Sequence, residues 1–184
     1  MKSLCIYCGA KAGDKEVYLQ TAKSLGVEAA KQGWRLVYGG GSLGLMGATA
    51  GAARDAGGDV YGIIPEFLVE LEGILDGVNH KIVQTMHERK KLMFDAADVI
   101  VTLPGGIGTL EEVVETVSWA RLQLHRKPII LFNIDGYWTP LKKLFDHVVD
   151  AGFADEELRS DIVLVDNITD LFKIANARTP GELV

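Results

Sequence analysis

Short runs rich in Val, Ile and Leu recur along this 184-residue chain, separated by longer stretches in which apolar residues follow helical spacing. Strands are predicted at Ser3–Cys8, Arg35–Tyr38, Val60–Ile64, Lys81–Thr85, Val99–Leu103, Ile129–Phe132 and Ile162–Val165. Helices are predicted at Glu16–Gln32, Leu43–Ala56, Met86–Ala96, Leu110–Leu124, Trp138–Ala151 and Thr169–Ala177. A continuously apolar strand has no polar side to give to water, so both faces of its sheet must be covered. Strand–helix alternation then calls for right-handed βαβ units and a doubly wound, mostly parallel α/β sheet with helices on both faces. Residues 1–184 contain no linker, low-complexity tract or internal repeat, and their length fits one domain with a sizeable core.

The balance of residues narrows the partners. A formal net charge of −6 lacks the basic footprint that general nucleic-acid or membrane-surface binding needs. No apolar run is long enough to span a bilayer, and Met1-Lys2-Ser3 leads into a short apolar strand without a secretory pattern. A cytoplasmic protein is expected. Cys5 and Cys8 form a C-x-x-C, but within a strand they point to opposite sheet faces. Two buried thiols in a reducing cytoplasm are expected, not a redox pair or a metal site.

Glycine gathers after two strands. Pro104-Gly105-Gly106-Ile107-Gly108-Thr109-Leu110-Glu111-Glu112 follows one strand and opens a helix. Its glycines clear side chains from the turn, so backbone N–H groups can approach an anion at the positive helix end. Thr109 and Glu112 fit a capping box, with Thr109 as N-cap and Glu112 three positions on. Glu111 and Glu115 are spaced as on a solvated face. The second cluster, Gly39-Gly40-Gly41-Ser42-Leu43-Gly44-Leu45-Met46-Gly47, matches G-x-G-x-x-G between a strand and a helix, with Glu66 roughly 20 residues beyond. Ligand contact is expected of Gly40, Gly41 and Ser42, and packing of Gly44 and Gly47. Both loops belong at the carboxyl ends of their strands, where a doubly wound sheet binds its ligands.

An arginine completes the pattern. Arg89 shares a helix face with Met86, Leu92, Met93 and Ala96, where an unpaired guanidinium is costly. It needs a carboxylate or phosphate, and Glu112 is the expected ion-pair partner. Lys90 reads either as a phosphate contact or as a solvent-facing lysine. Met86 and Met93 can offer an adaptable apolar wall to a ligand. His87 begins its helix, and His125-Arg126-Lys127 suits a helix C-terminus. Trp119 and Leu122 lie away from the core stripe of Val113, Val114 and Val117, so a second covered face, and hence a homodimer, is expected. On these residues alone, a non-catalytic nucleotide carrier or sensor, a nicotinamide-dependent oxidoreductase and a pyridoxal-phosphate lysine decarboxylase remain rivals to a nucleotide-cleaving enzyme.

Three segments together resemble the hallmarks of the Lonely Guy (LOG) family: Gly39 to Gly47, Met86-His87-Glu88-Arg89-Lys90, and Pro104 to Glu112. Cys5-Ile6-Tyr7-Cys8-Gly9 and Trp119 to Pro128 are similar as well, with Ala10 standing where many relatives carry serine. The resemblance implies a Rossmann-like homodimer that hydrolyses the N-glycosidic bond of a purine riboside 5′-monophosphate, of cytokinin or adenosine type, to free base and ribose 5-phosphate. It implies catalysis by Arg89 and Glu112, and a 5′-phosphate held by the amides of Gly105, Gly106, Ile107, Gly108 and Thr109. Gly40, Gly41, Ser42, Met86, Lys90, Met93, Leu110, Glu111 and Glu115 complete the expected substrate set, with Glu72 at the base edge. No cofactor and no metal is implied.

Overall fold

The computed structural model describes residues 1–177; positions 178–184 of the expected domain lie outside the described residues. Among the described residues the elements run β1 (Ser3–Tyr7), α1 (Glu16–Lys31), β2 (Arg35–Tyr38), α2 (Gly44–Asp55), β3 (Val60–Pro65), α3 (Glu66–Glu72), β4 (Asn79–Val83), α4 (Met86–Asp95), β5 (Val99–Thr102), α5 (Ile107–Arg121), β6 (Ile129–Phe132), α6 (Thr139–Asp150), α7 (Glu157–Asp161), β7 (Ile162–Val165) and α8 (Ile168–Ala177). The strands form one parallel sheet in the order β4-β3-β2-β1-β5-β6-β7. The chain winds outward from β1 to one edge, then returns to β5 and winds to the other.

Strand alternation sorts the core into two layers. Leu4, Ile6 and Cys8 pack with Ala22 and Leu25 of α1, Ala50 of α2 and Leu171 of α8. Cys5 and Tyr7 face the other way, onto Met93 of α4, Val113 and Val117 of α5, Val149 of α6 and Leu158 of α7. The two thiols are free, buried and on opposite faces, as their spacing requires.

The edge of the sheet departs from expectation. β4 runs over Asn79–Val83 instead of Lys81–Thr85. Thr85 has left the strand to cap α4: its Oγ1 accepts the Glu88 N–H at 3.1 Å, and Glu88 Oε2 accepts the Gln84 N–H at 3.1 Å. Glu66 opens α3, a helix without buried residues, and there meets Gln84 Nε2 at 3.3 Å.

Helices α1 and α2 approach until backbone meets backbone. A Cβ at Gly26 would strike the Thr49 carbonyl and stand 3.0 Å from the Ala53 nitrogen. Gly26→Ala should gain about 1 kcal/mol of helix propensity and lose about 1–3 kcal/mol to overpacking. The expected outcome is a lower urea midpoint at unchanged slope; a raised midpoint would show that the helices separate freely.

Candidate active site

A cleft of about 540 Å³ opens above the carboxyl ends of β1, β2 and β5, within the range of roughly 300–1,000 Å³ common for small-molecule sites. It lies at the switch point of the winding, where crossovers from neighbouring strands leave in opposite directions. Three loops converge there. The Gly9 N–H donates to the Pro104 carbonyl at 3.0 Å, tying the β1 loop to the β5 loop. A Cβ on Gly105 would stand 2.9 Å from the Gly9 nitrogen and collide with Thr109, so only glycine permits this approach.

The β5 loop delivers an anion seat. Gly106 is the N-cap of α5, with φ −89° and ψ −155°, and Leu110 N–H returns to the Gly106 carbonyl at 3.0 Å. Among the described residues, the N–H groups from Gly105 to Thr109 have no acceptor within the chain. The first turn of α5 carries no acid to fill the seat. Thr109 is therefore not the N-cap. It sits in the helix, buried, with its side chain over Gly105. The capping box expected at Thr109 and Glu112 is absent because the glycine pair lets the helix start earlier, at Ile107. Ile107 is 84% exposed and is not among the cleft-lining residues, and Leu110 packs against the core layer behind.

Arg89 reaches the cleft from α4, buried as its position on the apolar stripe predicts. Its Nε donates to the Ile63 carbonyl at 3.2 Å and Nη2 to the Gly39 carbonyl at 3.0 Å, while Nη1 meets Met86 Sδ at 3.9 Å. Strand-end carbonyls, not Glu112, are its partners: no Arg89–Glu112 ion pair forms within 4.0 Å. A side chain at Gly39 would occupy the space of the guanidinium. The Arg89 guanidinium lines the cleft, with one Nη1 N–H on Met86 Sδ.

Glu112, one turn further along α5, lines the same cleft while only 8% exposed. Burial pushes its carboxyl up to about 7; Arg89 and Lys90 pull it down, Glu111 and Glu115 push it further up, and burial prevails. The expectation that Arg89 holds this acid ionised is thus corrected. Lys90 does not face solvent and is not among the cleft-lining residues. It is buried beside the cleft, with Nζ 2.5 Å from Glu111 Oε1 and 3.0 Å from Glu115 Oε1. Burial alone would lower its ammonium, but these two hydrogen bonds raise it.

The glycine loop after β2 acts indirectly. Gly39, Leu45 and Met46 line the cleft; Gly40, Gly41 and Ser42 do not. Gly40 packs on Ile64, whereas the Ser42 N–H and Oγ both donate to the Glu72 carbonyl, at 3.2 and 2.8 Å. That clamp holds the Glu72 carboxylate in the cleft wall, with Oε2 buried and without a hydrogen-bond partner among the described residues. Gly44 and Gly47 pack as expected, against the Ala10 and Ser42 backbones. Met86 and Met93 are both in the lining. The sequence reading missed the wall made by Gly9 to Asp14, Tyr18 and Tyr137. Its signals were the glycines flanking the β1 loop and the Asn133-Ile134-Asp135-Gly136 turn after β6.

Because Glu112 is raised, the unfolded chain releases its proton near pH 4.5 and the folded chain only near pH 7. Its stabilising proton is fully present below pH 4.5 and is lost as pH rises through 7. Glu112→Gln should therefore match the parent near pH 4.5 and exceed it by about 3 kcal/mol at pH 8. Denaturant titrations at both pH values check this; equal stability at pH 8 would remove the burial argument.

Comparison with known proteins gives the family. Residues 46–174 match the family model described as "Possible lysine decarboxylase". The cytokinin riboside 5′-monophosphate phosphoribohydrolase LOG of Oryza sativa subsp. japonica is 43% identical over 163 residues, 88% of this chain and 67% of that one. LOG7 of Arabidopsis thaliana, which carries the same activity name, is 42% identical over 173 residues, 94% and 80% of the two chains. In fold, the molybdenum cofactor carrier protein of Chlamydomonas reinhardtii superposes with a TM-score of 0.74 at 24% identity over 96% of each chain. Relatives of such identity over most of the chain place this protein in the LOG family.

Proposed function

We propose that this cleft hydrolyses the N-glycosidic bond of a purine riboside 5′-monophosphate of cytokinin or adenosine type. The chain is a phosphoribohydrolase, as its relatives are named. One observation carries the residue-level reading: the turn whose amides from Gly105 to Thr109 lack acceptors opens the helix that carries the buried carboxyl of Glu112, and both border one cleft. A 5′-phosphate on those amides completes the hydrogen bonds that the turn lacks. The base then rests against Met46, Met86 and Met93, and the unpartnered Glu72 oxygen accepts from its edge.

Water adds to the ribose C1′ and the C1′–N bond breaks, giving ribose 5-phosphate and the free base. Positive, oxocarbenium-like charge grows on the ribose as the bond opens. Ionised Glu112 stabilises that charge and takes the proton of the attacking water, a task suited to a carboxyl that titrates near 7. The base leaves with the C1′–N electron pair and takes up a proton in place of the one the water gave to Glu112, and the Arg89 guanidinium lining the cleft offsets negative charge on it. Decarboxylation through a lysine Schiff base needs a free amine, and Lys90, engaged by Glu111 and Glu115, does not supply one.

A single catalytic domain that forms a homodimer fits the surface. Trp119, expected to face a partner, is covered in part by Phe94 of its own chain at 5.0 Å. Val114, Leu122 and Leu124 remain 48, 66 and 69% exposed on α5 and just beyond it. No helix among the described residues is long and apolar enough to cross a membrane, and the buried free thiols suit a cytoplasmic location.

Glu112→Gln should stay folded and lose more than about 100-fold in base release from a panel of nucleoside monophosphates. In the parent, kcat/KM should fall as pH drops through 7; full activity in the variant would sink the assignment. Light scattering should give the mass of two chains, and Leu122→Asp should shift it toward one. A parent that is monomeric at all concentrations would remove the dimer.

A further inference from the structure

The amides of the β5 turn are useful only if their peptide planes hold one orientation, and the fold pins two planes in succession. The first is the Pro104–Gly105 peptide, whose carbonyl accepts the Gly9 N–H at 3.0 Å. The second is the Gly105–Gly106 peptide, whose carbonyl accepts the Tyr137 hydroxyl at 2.6 Å. In a trans peptide the C=O and the following N–H point in opposite directions. Holding each carbonyl therefore aims the next amide, first that of Gly105 and then that of Gly106.

Tyr137 is 38% exposed, and its ring is flanked by aromatic neighbours. Its ring meets Tyr18 edge-on at 5.8 Å and Trp138 at 4.8 Å. Trp138 is buried, with its N–H on Asn133 Oδ1 at 2.8 Å and its indole N–H on the Thr102 carbonyl at 3.2 Å. The Lys15–Asp135 ion pair ties the turn before Tyr137 to the residue preceding α1. The hydroxyl has one proton, and Gly105 receives it, so Tyr137 cannot also donate to a bound phosphate.

We propose that Tyr137 is a positioning residue for phosphate recognition: its hydroxyl, delivered from the β6 loop, orients the Gly106 amide toward the 5′-phosphate of the substrate. The inference rests on the nucleotide reading of the cleft. Without the hydroxyl, the Gly105–Gly106 plane is free to rotate between the glycines, and affinity for a phosphate falls while the reacting groups at Glu112 stay in place.

The test is Tyr137→Phe, which keeps the ring contacts and removes only the donor. AMP binding is measured by calorimetry, AMP hydrolysis by adenine release, and inorganic phosphate as a competing ligand. The dissociation constant and KM for AMP, and the inhibition constant for phosphate, should each rise about fivefold, with kcat within twofold of the parent and an unchanged melting midpoint. Unchanged AMP and phosphate constants overturn the proposal, as does a loss confined to kcat. If the parent binds AMP without releasing adenine, the hydrolase reading fails, and the two AMP dissociation constants still decide the role of Tyr137.

Discussion

The hydrogen bond from the Gly9 amide to the Pro104 carbonyl ties together the loops that leave β1 and β5, the paired strands at which the connections of the sheet diverge. Between β1 and β5 the helices leave in opposite directions, so the carboxyl ends of these strands look onto a gap. Bridging that gap at backbone distance demands a β5 loop without a side chain at Gly105. Once it is bridged, the start of α5 is set, and with it the amide seat at the mouth and Glu112 one turn inside. The cleft is thus a consequence of topology, and its chemistry is decided by what lines the gap.

The balance of charge in that gap is decided by burial. Five ionisable groups act on one another there: Arg89, Lys90, Glu111, Glu112 and Glu115. Lys90 is occupied by Glu111 and Glu115, which leaves Arg89 as the main support for ionised Glu112. Arg89 in turn is drawn to two carbonyls at the ends of β2 and β3, beyond ion-pair distance. A charge that forms no direct pair cannot recover the solvation lost by a buried carboxyl. Glu112 is left able to change its protonation state near neutrality, at a cost to stability that a tighter pair would have removed.

This division explains what was legible in the residues themselves. Six strands and both core layers follow from runs of Val, Ile and Leu, because a strand buried on both faces has little alternative. β4 was misplaced since Asn79-His80-Lys81 is an edge segment, where solvent relaxes the pattern. Arg89 could be singled out by its place on an apolar stripe, but its partners could not, since carbonyl groups leave no mark in a sequence. The capping box failed for a related reason. The T-x-x-E pattern occurs at Thr85–Glu88 and again at Thr109–Glu112, and only the first caps a helix. At the second, Gly106 begins the helix earlier with its backbone alone. The wall of Tyr18 and Tyr137 lies far apart in the chain and meets only in the folded sheet.

A common device runs through these cases: the fold holds its functional groups by main-chain atoms. Arg89 is fixed by two carbonyls, Glu72 by its own carbonyl on Ser42, and the amide turn before α5 by peptide planes whose carbonyls are engaged elsewhere. Each arrangement leaves the working end of the group unspent. Glu72 retains an oxygen without a partner, Arg89 spends Nη1 only on the weak acceptor Met86 Sδ, and the turn retains its amides. Had side chains been paired with side chains, as the expected Arg89–Glu112 bridge would have done, the strongest donors and acceptors of the cleft would have satisfied one another. Backbone anchoring keeps them oriented and unsatisfied, which is the condition under which a ligand, and not the protein, completes the hydrogen bonding of the site.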